Sequence, residues 1–174
     1  MQGVSLDTSF LITLADRNRP NHETAKRYWK FFLESQTPIY LSTIVISEFE
    51  LKQPIDNIIL RSCIILPFNH ADAVKSAQLN FAKYKSEAAS RDALKDDFKI
   101  IAQAEVQGLA FLITDDVETL FKICGQLKAT GAVSFSAIKL SDGFHDSTGQ
   151  KLLESILDDA AGSQAEEGQP PKGD

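Results

Sequence analysis

Residues 109–116 read LAFLITDD, an apolar run that ends in two adjacent carboxylates. Six residues with no charge and no alternation of polar and apolar positions describe a strand buried on both faces, as in a parallel sheet. Two neighbouring acids at its end repel one another unless one is solvated or a cation lies between them. The stretch therefore predicts a parallel α/β fold and marks the place where chemistry would sit.

The rest of the chain repeats the pattern. GVSLD (3–7), IYLS (39–42) and CIILPF (63–68) read as further buried strands, and FSAIKL (135–140) as a fifth, edge strand. Between them lie segments with helical spacing: 8–15, 22–34, 43–52 with Ser42 or Thr43 as N-cap, 70–89, 96–108 closed by Gly108, and 117–129. Strands alternating with helices predict a three-layer α/β/α sandwich around a mostly parallel central sheet. The domain is expected to span residues 1–157. Residues 158–174 are expected to form an acidic, disordered tail, since they are poor in apolar side chains.

Composition narrows the class. The 174 residues are 43% hydrophobic and 24% charged, as in an ordinary globular protein. Of the net charge of −6, four units lie in the tail, where five acids meet only Lys172, and two in the remainder. No basic stripe marks the body as a nucleic-acid surface. The start of the sequence has no charged residues leading into an apolar stretch, and Arg61 and Pro67 interrupt the longest apolar block; a cytoplasmic protein without secretory signal or membrane span, with reduced, core-facing Cys63 and Cys124, is expected.

In a parallel sheet, ligands gather beyond the carboxyl ends of the strands. Asp7 ends the first strand, and Asp115 and Asp116 end the fourth. Glu48 lies in the helix after the second strand, and Asp96 and Asp97 are expected to open the helix before the fourth. Each has an ordinary reading beside the functional one. Asp7 can cap the helix begun by Thr8, and Glu48 alone reads as a solvated helix residue. Asp96 or Asp97 can mark a helix start, and Asp115 with Glu118 matches a capping box, which leaves Asp116 as the better ligand. If the acids converge, they need compensating cations, and a hard all-oxygen donor set selects Mg²⁺ or Mn²⁺. Paired ions of this kind can hold the attacking and leaving oxygens of a phosphodiester displacement.

The segments LDTSFLI, ISEFE and DFKIIAQAEVQGLAFLITDD resemble the motifs of PIN-domain ribonucleases, most closely the VapC-type toxins of toxin–antitoxin pairs. The resemblance runs from Val4 to Leu127. It implies Asp7, Glu48, Asp97 and Asp116 as catalytic, metal-binding acids, with Thr8 and Thr114 orienting them through their hydroxyls. Asp97 is favoured over Asp96 because only Asp97 places the family's apolar and small residues at Ile100, Ala102 and Ala104. Ser9 stands where the family often has Asn, and Asp115 where it usually has Arg. The implied activity is metal-dependent endonucleolytic cleavage of RNA, leaving a 5′-phosphate and a 3′-hydroxyl. The implied partners are RNA, a small antitoxin and a second copy of the chain.

Other residues carry less. His22, His70 and His145 lack ligand partners at metal spacing, so surface or capping roles are expected. Tyr28, Trp29, Phe31 and Phe32 read as core or dimer surface, and Lys26, Arg27 and Lys30 as a solvated face. One alternative is a PIN-like RNA- or protein-binding regulatory module with weakened catalysis. Another is a phosphoryl-transfer fold. Against the latter, Ser9 stands where a haloacid-type phosphatase needs a second Asp, and Lys139 is the only late candidate for the lysine of a receiver-type acceptor.

Overall fold

The computed structural model describes residues 3–84 and 91–144. The expected tail and His145 lie outside the described residues. Five parallel strands form one sheet in the order β3-β2-β1-β4-β5: β1 Val4–Leu6, β2 Ile39–Ser42, β3 Ile64–Leu66, β4 Phe111–Thr114 and β5 Ser136–Lys139. Among the described residues seven helices accompany them: α1 Thr8–Ala15, α2 His22–Glu34, α3 Thr43–Glu50, α4 Asn57–Ser62, α5 His70–Leu79, α6 Arg91–Val106 and α7 Leu120–Ala129.

The chain winds outward from β1 to β2 and β3, then returns to β1's other side with β4 and β5. Between β1 and β4 the winding reverses, and this is the crevice where parallel sheets hold ligands. Leu6 pairs with Ile113, and the Asp7 amide donates to the Ile113 carbonyl at 3.3 Å, so Asp7 and Thr114 emerge side by side.

Leu6, Leu41, Leu112 and Ile113 are fully buried in the middle of the sheet. Each such side chain contributes about 1.5–3 kcal/mol. The outer strand β3 departs from the expectation of burial on both faces, because Ile64 and Ile65 are exposed while Leu66 is buried. On α2, Ala25, Tyr28 and Phe32 pack into the core as their spacing predicts, and Trp29 and Phe31 pack partly against it.

Several helices differ from the sequence reading: α3 ends at Glu50 rather than at residue 52, and α7 starts at Leu120 rather than at residue 117. The segment 70–89 is not one helix: α5 stops at Leu79, where Asn80 takes a left-handed φ of 55°. A 3₁₀ turn at Phe81–Tyr84 then sets the rings of Phe81 and Tyr84 against Phe98. Among the described residues α6 spans Arg91–Val106, so Asp96 and Asp97 lie inside it rather than at its start. Residues 57–62 form the short helix α4, capped by the Asp56 side chain and hidden to sequence reading within a longer apolar run. Gly108, with φ 61°, ends α6 as expected.

Candidate active site

Asp7 is 4% exposed and does two things at once. Its Oδ1 accepts the Phe10 amide at 2.8 Å and so caps α1. Its carboxylate also receives Ser9 Oγ at 2.8 Å and Thr114 Oγ1 at 2.7 Å. Each hydroxyl has one proton to give, and each in turn accepts a backbone N–H: Ser9 takes the Asp115 amide at 2.7 Å and Thr114 takes the Asp116 amide at 2.9 Å. Two parallel amide–hydroxyl–carboxylate relays therefore fasten the end of β4 to the end of β1.

Asp7, Thr8, Ser9, Glu48, Asp97 and Asp116 line one open cavity of about 350 Å³, together with Ile12, Ile100, Leu51 and Lys52. The structure thus brings together the four acids singled out from the sequence. Glu48 reaches the cavity from α3 and accepts a hydrogen bond from Thr8 Oγ1. Asp97 reaches it from α6, whose neighbouring Phe98, Ile101 and Ala102 are buried in the core.

The charge in this cavity is poorly compensated. Burial raises the Asp97 carboxyl to about 8, with further upward pressure from Asp116, Asp7, Glu48 and Asp96. Asp7 is raised to about 6, chiefly by burial, because its three hydrogen bonds offset the loss of water only in part. Glu48 is raised as well, again by burial first, against the hydrogen bond from Thr8.

Among the described residues, no three His, Cys, Asp or Glu side chains are drawn tightly enough together to hold a metal ion as they stand. The donor set itself suits a hard divalent cation: four carboxylates and two hydroxyls surround a cavity containing no lining His or Cys.

The roles of the two acids at the end of β4 are the reverse of the capping expectation. Asp115 and Glu118 form no capping box. The Asp115 carboxylate turns away from the cavity and accepts Thr13 Oγ1 at 2.6 Å, Asn21 Nδ2 at 2.6 Å and Arg19 Nη2 at 3.4 Å. Glu118 is exposed and pairs with Lys122. Asp116 has a local structural role after all, since its Oδ1 accepts the Thr119 amide at 2.8 Å, and it lines the cavity too. Asp96 is engaged by Lys99 at 2.7 Å and does not line the cavity, which separates it from Asp97.

His22 is buried rather than on the surface, with Nδ1 3.0 Å from the Thr13 carbonyl oxygen. His70 is exposed on the first turn of α5. Cys124 is buried beneath the acids, and burial followed by the charges of Asp97 and Asp7 pushes its thiol upward. Cys63, pushed up to about 12 by burial, is likewise a free thiol. Lys139 pairs with Asp142 at 3.1 Å and does not line the cavity, which removes it as a receiver-type lysine. Sequence reading did not single out Leu51 and Lys52 as lining residues. The spacing of four from Glu48 to Lys52 was the available signal.

Among the described residues, no helix is long and apolar enough to cross a membrane. No curated protein matches the chain at a significant level. Several solved structures resemble it in fold. FitAcB from Neisseria gonorrhoeae superposes with a TM-score of 0.54 at 22% identity, over 79% of this chain and 97% of that one. VapBC2 from Rickettsia felis, bound to a DNA fragment from its promoter, gives 0.54 at 13% identity, over 77% and 97%. VapC20 from Mycobacterium tuberculosis, a sarcin-ricin loop cleaving toxin, gives 0.51 at 16% identity, over 67% and 92%. The model of the PIN domain matches residues 4–124, the span that contains all four cavity acids, and the chain belongs to the PIN domain family.

Proposed function

We propose that this chain is a metal-dependent endoribonuclease and the toxin of a toxin–antitoxin pair. The observation that carries the reading is the convergence of Asp7, Glu48, Asp97 and Asp116 on one cavity at the switch point of a parallel sheet. The nature of the structural neighbours supports the toxin assignment: one cleaves the sarcin-ricin loop, and others are toxin–antitoxin complexes. A small antitoxin and a second copy of the chain are its proposed partners.

Asp7, Glu48, Asp97 and Asp116 would hold Mg²⁺ or Mn²⁺. A divalent cation of this kind supplies an acidified water and stabilisation of the departing oxygen. The chain's own residues prepare for it. Ser9 and Thr114 lock the Asp7 carboxylate in one orientation, and Thr8 does the same for Glu48. Burial, with the neighbouring acids, raises the Asp97 carboxyl to about 8, and a bound cation would favour its charged form. Ile12 and Ile100 close the cavity walls with apolar surface that strengthens electrostatic interactions inside.

RNA cleavage with added Mn²⁺, compared between the wild-type chain and Asp97→Asn, tests the proposal. Loss of cleavage in the variant is expected, and equal cleavage by both overturns the assignment. Absence of both cleavage and Mn²⁺ binding by calorimetry would instead favour a PIN-like binding module.

A further inference from the structure

Four acids line the cavity, and among the described residues Lys52 is the one basic residue that lines it. Other cations close to the acids are committed elsewhere: Lys99 is held by Asp96 at 2.7 Å, and Arg19 by Asp115 at 3.4 Å. Lys52 makes no side-chain ion pair or hydrogen bond among the described residues, and its side chain is exposed. Its backbone is nevertheless fixed. The Lys52 amide donates to the carbonyl of Phe49 at 2.9 Å, and Phe49 is buried in the core. The Lys52 side chain thus extends from an anchored turn that lines the cavity.

Beside it, Leu51 lines the same cavity and is 86% exposed, the most exposed of the large apolar side chains among the described residues. An anchored turn that offers a free cation and a bare apolar side chain together has the two chemistries that a nucleic-acid strand presents, a phosphate and a base face.

We propose that Lys52 and Leu51 form the substrate-holding edge of this cavity, with Lys52 taking a backbone phosphate of a single-stranded RNA and Leu51 lying against a base. This rests on the nuclease reading above and adds to it a contact outside the four acids. The ordinary alternative is a solvated lysine that only tempers the charge of Glu48 four residues earlier.

The test uses the full chain carrying Asp97→Asn, so that the strand stays intact, and a fluorescein-labelled single-stranded RNA of mixed sequence. Binding is followed by anisotropy across a salt series. Adding Lys52→Gln is expected to weaken binding about tenfold near 50 mM salt and to reduce the slope of log affinity against log salt by about 0.7, the share of one phosphate contact. Lys52→Arg should restore both, and Leu51→Ala should weaken binding without altering the slope. In the cleaving chain, Lys52→Gln should raise KM more than it lowers kcat. Mn²⁺ affinity by calorimetry should match that of the wild type.

Unchanged RNA affinity and slope in Lys52→Gln overturn the proposal, as does a change confined to Mn²⁺ affinity. If the wild type cleaves, Asp97→Asn does not, and Lys52→Gln behaves as wild type, only this contact falls. A wild type that neither binds nor cleaves RNA removes the nuclease reading along with it.

Discussion

Asp115 and Asp116 are neighbours in the chain, yet their carboxylates serve different parts of the molecule. Asp116 lines the acidic cavity, whereas Asp115 clasps Thr13, Arg19 and Asn21, at the end of α1 and in the connection that follows it. Two adjacent negative charges are tolerated because one has its own donors and the other faces the cavity.

The first prediction concerns Asp115. Replacing it with Ala leaves Thr13 Oγ1, Asn21 Nδ2 and Arg19 Nη2 without their acceptor, and the Thr13 side chain is fully buried. A loss of about 2–4 kcal/mol in urea denaturation is expected, since stranded buried donors cost more than the bonds themselves contribute. Mn²⁺ binding to the folded fraction should persist.

Asp97→Asn should act in the opposite direction on stability. Removing a carboxyl that burial and four neighbouring acids push up to about 8 relieves repulsion, so the metal-free variant should be more stable than the wild type at pH 8. A gain of about 1 kcal/mol or more is expected, together with at least a hundredfold loss of cleavage.

The pH dependence follows from the same groups. Asp7 and Asp97 have folded-state values of about 6 and about 8, both above the ordinary 3.8. Raised values mean that the folded chain binds these protons more tightly than the unfolded chain does. Their stabilising contribution is therefore complete below pH 4 and is lost as pH rises, through about 6 for Asp7 and about 8 for Asp97. The Tm of the metal-free chain should include a decrease between about pH 4 and 8 that in Asp97→Asn is confined to the part below about pH 6 due to Asp7, and that shrinks with saturating Mn²⁺. Calorimetry in buffers of different ionisation enthalpy should show protons released as Mn²⁺ binds at pH 7.

Thr114→Val removes one of the two relays. The Asp116 amide loses its acceptor and Asp7 loses a hydrogen bond that favours its charged form. A cost of about 1–3 kcal/mol is expected by denaturation, with the pH for half-maximal cleavage moved upward. Thr114→Ser, which keeps the hydroxyl, should recover most of both.

Much of this architecture was legible in the sequence because burial writes itself in continuous apolar runs. LAFLIT, IYLS and GVSL each contain a central buried strand, and the helical segments between them impose the crossovers. The pairing of Asp97 with Ile100, Ala102 and Ala104 distinguished it from Asp96, and Asp97 alone of the two lines the cavity. Asp116 was legible as a cavity acid, but the cap that it provides and the outward-facing role of Asp115 were not. The donors that hold Asp115 lie 94 to 102 residues away, and no local pattern encodes them. That α6 extends ahead of Asp96 was obscured because the residues before Leu94, RDA, carry no apolar stripe. Lys52 escaped notice because its spacing of four from Glu48 reads equally as a solvated acid–base pair at the end of a helix.

Asp7 is at once the N-cap of α1 and a wall of the cavity. A laboratory wanting an inert but intact version of this protein should therefore leave position 7 alone. An alanine there would fray the first turn of a helix whose Phe10 and Leu11 are fully buried, so silence in an assay would report a loosened scaffold as readily as absent chemistry.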